Sequence, residues 1–172
     1  MDQPGVRHLL LLRHAKSSWD EPGLADHDRP LSKRGRRAAV AVRDHIDELG
    51  SIPELVLCSS ARRTVETLDA IQPALPASTA VEIDRDLYAA DADELLARVR
   101  RLPPTVRSTM LIAHNPGIED LAALLVGGGD RAARAAMGAK FPTAALAHLA
   151  IDRSWSAIGP GTATLERFWT PR

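Results

Sequence analysis

The chain has 172 residues, 22 Lys and Arg against 22 Asp and Glu, and a single cysteine. The balanced charge provides no general field for nucleic acid or an anionic membrane, so neither partner class is expected. One cysteine excludes an intramolecular disulfide framework and is typical of a reducing cytoplasm, and no apolar run reaches the ~18 residues of a membrane helix. We therefore expect one cytoplasmic domain over residues 1–172, which could bury roughly two-thirds of its unfolded surface.

The first predicted element is a strand at Leu9–Leu12, because an unbroken apolar run is typical of a strand buried on both faces. The polar segment from Ser17 to Pro30 predicts a loop over the end of this strand. A helix capped by Ser32 follows and ends at Gly50. The charged residues on the outer side of that helix are expected to form a solvated face: Arg36, Arg37, Arg43 and Asp47.

The middle of the chain alternates between strand and helix patterns. Two apolar runs predict buried strands at Leu55–Cys58 and Thr109–Ala113, and a shorter run predicts an extended piece at Val81–Ile83. Ser59 or Ser60 is expected to cap the helix after the second strand. Further helices are predicted from Asp91 to Val99 and from Ile118 to Val126, the latter stopped by the glycines at 127–129.

The last part of the chain predicts a short Ala-rich helix over 130–137, then strands over 144–151 and 162–169 with a turn at 159–161 between them. Strand and helix patterns alternate over most of the length. We therefore expect an α/β fold, a three-layer α/β/α sandwich with a mainly parallel central sheet.

Cationic or titratable side chains follow three of the predicted strands. They occur at Arg13-His14, in the segment from Ser59 to Arg63, and at His114-Asn115. In a parallel sheet these strand ends meet at one edge, where α/β proteins bind ligands. None of the three segments contains an obvious partner carboxylate, so the cluster would be costly without an anion, and phosphate suits guanidinium groups best.

Each of these residues alone also has an ordinary structural interpretation. A single histidine after a strand is usually structural or exposed, and Arg62 and Arg63 at a helix start would normally lie on the surface. A basic pair there opposes the helix dipole, which favours a functional reason for at least one of them. The three segments together favour one anion site.

The same segments resemble motifs of the histidine phosphatase (phosphoglycerate mutase-like) superfamily. Arg13-His14 resembles its Arg-His motif, residues 59–67 resemble its Ser-x-x-x-Arg-x-x-x-Thr motif, which selects Arg63 over Arg62, and His114-Asn115-Pro116 resembles its third motif. The SixA-type branch of phosphohistidine phosphatases is closer still, and these segments carry that likeness: residues 13–17, the Asp-x-x-Arg-Pro-Leu pattern over 26–31 with Gly35 after it, and residues 141–143.

The resemblance implies a phosphoglycerate mutase-like fold and a catalytic set of Arg13, His14, Arg63 and His114. His14 as a neutral imidazole would attack phosphorus and form a phosphohistidine enzyme that water hydrolyses. Arg13, Arg63 and a protonated His114 would hold the equatorial oxygens, so neither a metal nor another cofactor is expected. Arg29, Lys16 and Asn115 are candidates for substrate binding. Alternatively, Arg29 forms a salt bridge to Asp26 or Asp28, and the Lys16 side chain extends into solvent.

One departure from the superfamily pattern bears on the substrate. Phosphomonoesterases of the superfamily carry an acidic proton donor where this chain has Leu87-Tyr88-Ala89-Ala90, and Asp86 and Asp91 flank that place without occupying it. A phosphohistidine needs general-acid help less than a phosphate ester, because its leaving imidazole can be protonated beforehand. This favours a phosphorylated protein of the histidine phosphotransfer type. A small phosphorylated metabolite stays the alternative if Asp86 or Asp91 acts as the donor.

The same residues allow two other interpretations. A non-catalytic module could bind phosphohistidine or phosphoserine with the same pocket, but binding alone would need only the arginines and not His14. Cys58 before an Arg-containing turn suggests a cysteine phosphatase, but the arginine would have to stand at position 64, which is a threonine. Cys58 is therefore expected to be the buried end of a strand.

Overall fold

The computed structural model describes residues 5–172 and contains one seven-stranded sheet between helices. The strands are β1 (Arg7–Arg13), β2 (Leu55–Ser59), β3 (Ala80–Asp84), β4 (Ser108–Ala113), β5 (Val126–Gly129), β6 (Leu146–Ile151) and β7 (Ala163–Trp169). The helices are α1 (Lys33–Ile46), α2 (Arg62–Ile71), α3 (Ala92–Arg100), α4 (Gly117–Leu125) and α5 (Arg131–Ala139). None of these helices is long and apolar enough to cross a membrane.

The order of the sheet is β3-β2-β4-β1-β6-β7-β5. Within the described chain β6 alone opposes the other strands, because it pairs antiparallel with both β1 and β7 while every other pairing is parallel. The α/β class and the three-layer sandwich are confirmed, and the sheet is mixed. A mainly parallel sheet holds for six strands and fails at β6, which is joined to β7 by the loop over residues 152–162 and needs no α-helical crossover.

The leucines of β1 show how the two faces are covered. Leu9 and Leu11 pack with side chains of α3, α4 and α5, whereas Leu10 and Leu12 pack with those of α1 and α2. All four are fully buried. Alternate side chains of a strand point to opposite faces, so a run without polar interruption is what a central strand between two helical layers requires.

The glycines at 127–129 are a correction to the sequence analysis. They form most of strand β5, which pairs with β7 at the edge of the sheet, and they do not simply end α4. A Cβ on Gly127 would collide with the backbone oxygen of Gly161, and one on Gly129 with that of Leu165. Gly129 also has a φ of +116°, which favours glycine. The glycines therefore allow close backbone approach within the sheet.

The start of α2 is a second correction. Its N-cap is Ala61, which makes no side-chain capping bond, so neither Ser59 nor Ser60 has the expected role. The hydroxyl of Ser59 is directed to His114, at 2.7 Å from its Nε2. The serine thus contacts another part of the chain at the expense of the local cap.

Candidate active site

A cavity of about 1000 Å³ lies at the carboxyl ends of the central strands. Six of the seven site residues predicted from the sequence line it: Arg13, His14, Lys16, Arg63, His114 and Asn115. The seventh, Arg29, is not among the lining residues. Since β1, β2 and β4 are neighbours in the sheet, the three motifs that follow them meet at one edge.

The Arg13-His14 turn is held by backbone hydrogen bonds on two sides. Arg13 N–H donates to the carbonyl of Ala145 and His14 N–H to that of Ala113. The N–H of Ala144 in turn donates to the carbonyls of Arg13 and His14, at 3.1 and 3.0 Å. Ala144 adopts a φ of +63°, uncommon for a residue with a Cβ. The turn that carries His14 is therefore fixed in orientation by its neighbours.

The ring of His14 is neutral and oriented. Its Nδ1 lies 2.6 Å from the carbonyl oxygen of Ala15. Because a carbonyl only accepts, Nδ1 carries the proton and Nε2 keeps its lone pair. Burial is the main cause that lowers the pKa of His14 to about 4, and Arg63 and Arg13 contribute to this value against the opposing effect of the Ala15 carbonyl. An uncharged Nε2 is the form that can attack phosphorus.

Each fixed position of the motif in residues 59–67 contacts a different part of the site. Ser59 contacts His114, as described above. Arg63 lines the cavity and is only 8% exposed. Thr67 Oγ1 accepts from the N–H of Ala15 at 3.1 Å and donates to the Arg63 carbonyl at 2.7 Å. One turn of α2 separates Arg63 from Thr67, so both reach the His14 region from the same helix face.

Asp26 is a carboxylate partner that the sequence analysis did not foresee. Arg63 donates through Nη2 to Asp26 Oδ2 at 3.0 Å and through Nη1 to the Asp26 carbonyl at 2.8 Å. Tyr88 O–H donates to the same Oδ2 at 2.6 Å. The Tyr88 hydrogen bond, together with Arg63, holds the pKa of Asp26 below its usual value against the effect of burial. Asp26 is therefore ionised at neutral pH and restrains the Arg63 guanidinium.

His114 is the second histidine of the cavity. Its ring centroid lies 5.2 Å from that of His14 and 5.6 Å from that of Tyr88. Burial lowers its pKa to about 3, with further contributions from His14 and Arg63. Nε2 contacts Ser59, and Nδ1 is buried without a hydrogen-bond partner among residues 5–172. This ring is therefore uncharged at neutral pH.

The Phe141 carbonyl joins Arg13 to Asn115. It accepts from Arg13 Nη1 and from Asn115 Nδ2, both at 3.0 Å, and Asn115 Nδ2 also donates to Glu119 Oε2 at 3.2 Å. Two acceptors near Nδ2 fix the amide orientation, so Oδ1 faces the other way. That oxygen is buried and unpartnered within the described part of the chain. Burial lowers the pKa of Arg13, but an arginine stays charged at neutral pH.

The remaining candidates lie around this centre. Arg29 is buried, with its guanidinium carbon 3.1 Å from the ring centroid of Trp19, and it makes neither of the ion pairs considered for it within residues 5–172. Lys16 is exposed at the rim of the cavity. Neither Asp86 nor Asp91 lines the cavity, and the Asp91 carboxylate accepts the N–H of Glu94 as the N-cap of α3.

Four residues with contacts in the site were not predicted from the sequence to have the roles they have there: Asp26, Ser59, Thr67 and Tyr88. Ser59 and Thr67 stood in the recognised motif, four residues on either side of Arg63, and this helical spacing was a usable signal. Asp26 stood in the pattern over 26–31 but its partner is 37 residues away. Nothing local in the sequence points to Tyr88. Residues 5–172 contain no group of three His, Cys, Asp or Glu side chains that could hold a metal ion.

Comparison with known proteins identifies the family. The model of the histidine phosphatase superfamily (branch 1) matches residues 9–101, and the chain belongs to this superfamily. An uncharacterized protein of Mycobacterium tuberculosis is 34% identical over 163 residues, which cover 94% of this chain and 100% of that protein.

Similar solved structures indicate the branch of the superfamily. A SixA protein from Nakamurella multipartitia, whose phosphohistidine phosphatase assignment is itself an inference, is 29% identical with a TM-score of 0.85 over 99% of both chains. A similarly assigned SixA from Agrobacterium tumefaciens is 30% identical, with a TM-score of 0.81 over 96% of this chain and 98% of the other. The chain is of the SixA type. Phosphoglycerate mutase from Plasmodium falciparum, 16% identical with a TM-score of 0.62 over 95% and 90% of the chains, shares the fold.

Proposed function

We propose that this protein is a metal-independent phosphatase in which His14 is the nucleophile, and that its substrate is a phosphohistidine in a protein. The observation that carries the proposal is the state of His14. Its ring is neutral, its tautomer is set by the Ala15 carbonyl, and Arg13 and Arg63 line the same cavity. A phosphoryl group bound there meets a lone pair and two permanent positive charges.

The reaction proceeds in two displacements at phosphorus. The Nε2 lone pair of His14 forms a bond to phosphorus while the bond between phosphorus and the substrate imidazole breaks, and the imidazole leaves with that electron pair. Water then attacks phosphorus, the bond to Nε2 breaks, and inorganic phosphate is released. Arg13 and Arg63 face the charge on the equatorial oxygens in both steps, which is where positive charge lowers the barrier.

His114 changes its charge with occupancy in this scheme. Burial and neighbouring positive charge disfavour its protonation and hold its pKa low. A phosphoryl dianion nearby favours the protonated ring, since an opposite charge within a few ångströms raises a histidine pKa.

Two features support phosphohistidine over a phosphate ester. Asp26, the one Asp or Glu side chain that lines the cavity in the described chain, has a lowered pKa and is held by Arg63 and Tyr88, so it is poorly suited to protonate an alkoxide. The likeness to SixA proteins supports the same substrate class, and the single cysteine supports a cytoplasmic location.

A small-molecule phosphomonoesterase is the second candidate. A cavity of about 1000 Å³ has room for a whole metabolite, and Asp26 lines it. This candidate requires Asp26 to be protonated during the reaction. Hydrolysis of an alkyl phosphate as fast as that of phosphohistidine, with a loss of activity toward higher pH that Asp26→Asn removes, would establish it in place of the first proposal.

His14→Ala tests the mechanism directly. Incubation with a labelled phosphohistidine peptide and an acid quench should leave acid-labile label on the wild type and none on the variant, whose turnover should fall by about a thousandfold or more. His27→Ala, a nearby histidine outside the cavity lining, serves as the control and should retain the label. Activity should survive EDTA. Turnover by His14→Ala, or binding without any label on the wild type, would overturn the proposal, the latter in favour of a binding module.

A further inference from the structure

The cavity extends well beyond the residues needed for one phosphoryl group. Its far side is lined by Arg34 and Arg37 of α1, by Lys140, and by residues 170–172. Lys16, two residues after His14 in the sequence, also lines the cavity. The sequence pattern predicts a solvated face for Arg37, and the residue is indeed exposed, but it faces the cavity.

Close packing explains why the first turn of α1 lies beside the reaction centre. Ser32 donates to the Lys16 carbonyl from both its N–H, at 2.9 Å, and its Oγ, at 3.1 Å. Gly35 packs so tightly on the same carbonyl that a Cβ would collide with it. Because Lys16 is so near to His14 in the chain, Arg34 is held on the cavity wall by the segment that carries the nucleophile.

These outer cations lack counter-ions. Lys16, Arg34, Arg37 and Lys140 form no ion pair with any residue from 5 to 172. The one Asp or Glu side chain lining this cavity in the described chain, Asp26, already binds Arg63 and Tyr88. A phosphoryl group carries about two negative charges and would bind beside Arg13 and Arg63, the latter already paired with Asp26. Most of the charge of the four outer cations is then left without a counter-ion, in a protein whose formal net charge is +0.

The position of two of these charges is unfavourable for the helix itself. Arg34 and Arg37 are three residues apart on one face of α1, and the first turn of that helix contains no acidic residue. Like charges at this spacing repel, and positive charge near a helix N-terminus opposes the dipole. A bound anion would relieve both effects. The arrangement is thus more costly than an ordinary solvated helix face.

We infer that Arg34 and Arg37, with Lys16 and Lys140, form a second anion subsite that binds a further negatively charged group of the phosphorylated substrate. The inference rests on the proposed function, because it takes the cavity as the place where such a substrate binds. Carboxylates flanking a phosphohistidine and a second phosphate on a metabolite share the required chemistry. Guanidinium groups bind either of them in bidentate fashion.

The test compares two stable phosphonate analogues of a phosphohistidine peptide, one flanked by three glutamates and one by three glutamines. Fluorescence polarisation at low salt should give the wild type a Kd for the glutamate peptide about fivefold or more below that for the glutamine peptide. The ratio should fall to near one in Arg34→Gln/Arg37→Gln and should shrink as salt is raised. Arg101→Gln/Arg131→Gln, with the same loss of charge at two exposed arginines outside the cavity, should keep the full ratio.

A second arm distinguishes the source of the anion. An alkane bisphosphate and the matching monophosphate are each used to displace the glutamine peptide from the protein. If the bisphosphate binds more tightly than the monophosphate to the wild type, and this difference disappears in Arg34→Gln/Arg37→Gln, the result supports the subsite with a metabolite as its ligand. The inference is overturned if the wild type binds the glutamate and glutamine peptides equally well and also binds the bisphosphate and monophosphate equally well. It is likewise overturned if a preference for the more negatively charged ligand survives the double substitution. Loss of turnover with intact preferences contradicts only the proposed function, because the assay measures binding.

Discussion

Thr67 is the residue through which α2 holds the segment after the nucleophile. Its hydroxyl accepts from Ala15 N–H and donates to the Arg63 carbonyl, and it is fully buried. Thr67→Val keeps the shape but leaves the Ala15 N–H buried without an acceptor. We expect a loss of about 1–3 kcal/mol in the free energy of unfolding, measured by urea denaturation, and a lower kcat because the His14 turn is less well fixed.

Thr79→Val separates the two effects. Thr79 Oγ1 also donates to a backbone carbonyl, that of Pro53, at 2.9 Å, but it lies away from the cavity. Its variant should lose stability without a change in kcat. If Thr67→Val keeps full kcat at a temperature where both variants are folded, Thr67 contributes only to stability.

Individual site residues differed in how far the sequence revealed them. Arg13, His14, Arg63 and His114 follow strand ends or match motifs, so pattern and topology together were sufficient to select them as candidates. Asp26 could not be assigned to Arg63 because the pairing depends on how the loop over 17–30 folds back across the sheet edge. The contact of Ser59 with His114 was missed because a serine before a helix is, by local rules, a cap.

At the scale of elements, the junction between α1 and β1 depends on Gly35. Alanine normally stabilises a helix interior relative to glycine, but here its Cβ would meet the Lys16 backbone, which cannot move without disturbing His14. Gly35→Ala should therefore lower both the melting temperature and kcat/KM. The measurements are a thermal melt and phosphohistidine hydrolysis.

Gly138 provides the matched comparison, because it is also helical and a Cβ added to it would meet no atom within 4 Å. Gly138→Ala should raise stability by ~0.5–1 kcal/mol and leave activity unchanged. A Gly35→Ala variant that is as stable and active as Gly138→Ala would contradict this prediction. It would show that α1 can move away from the Lys16 backbone without loss of stability or activity.

Strands and helices with a regular apolar period were predictable, and β1, β2 and β4 lie where the sequence indicated. Strand β5 was not, because glycine carries no hydrophobic signal and its role depends on close contact with β7. The antiparallel direction of β6 was also beyond the sequence pattern, since a buried apolar run has the same composition in either direction.

Across the whole molecule, several histidines are kept neutral by burial. The pKa of His14 and of His148 is lowered to about 4 and that of His114 to about 3, with burial as the main cause in each. The unfolded chain binds protons at these positions below pH ~6.5, whereas the folded chain does not. Their contribution to stability should therefore be constant above pH ~6.5 and fall as the pH drops toward 4, by at most ~1.4 kcal/mol per pH unit for each histidine.

His148→Gln isolates one of these contributions outside the active site. His148 Nε2 lies 2.9 Å from His8 Nδ1, and a glutamine can keep a hydrogen bond there without titrating. Urea denaturation at pH 7.5 and pH 5 should show a smaller loss for the variant than for the wild type. An equal loss would mean that His148 is protonated equally well in the folded and unfolded chain.

The central position of β1 also determines when this polypeptide can fold during its synthesis. Its two hydrogen-bonded neighbours are β4, about a hundred residues later in the chain, and β6, which ends at Ile151. A nascent chain that has emerged only as far as α3 therefore holds its most apolar strand without either partner. Such long-range pairing is slow to form, so the ribosome-bound intermediate exposes Leu9–Leu12 to chaperones until β4 and β6 have emerged.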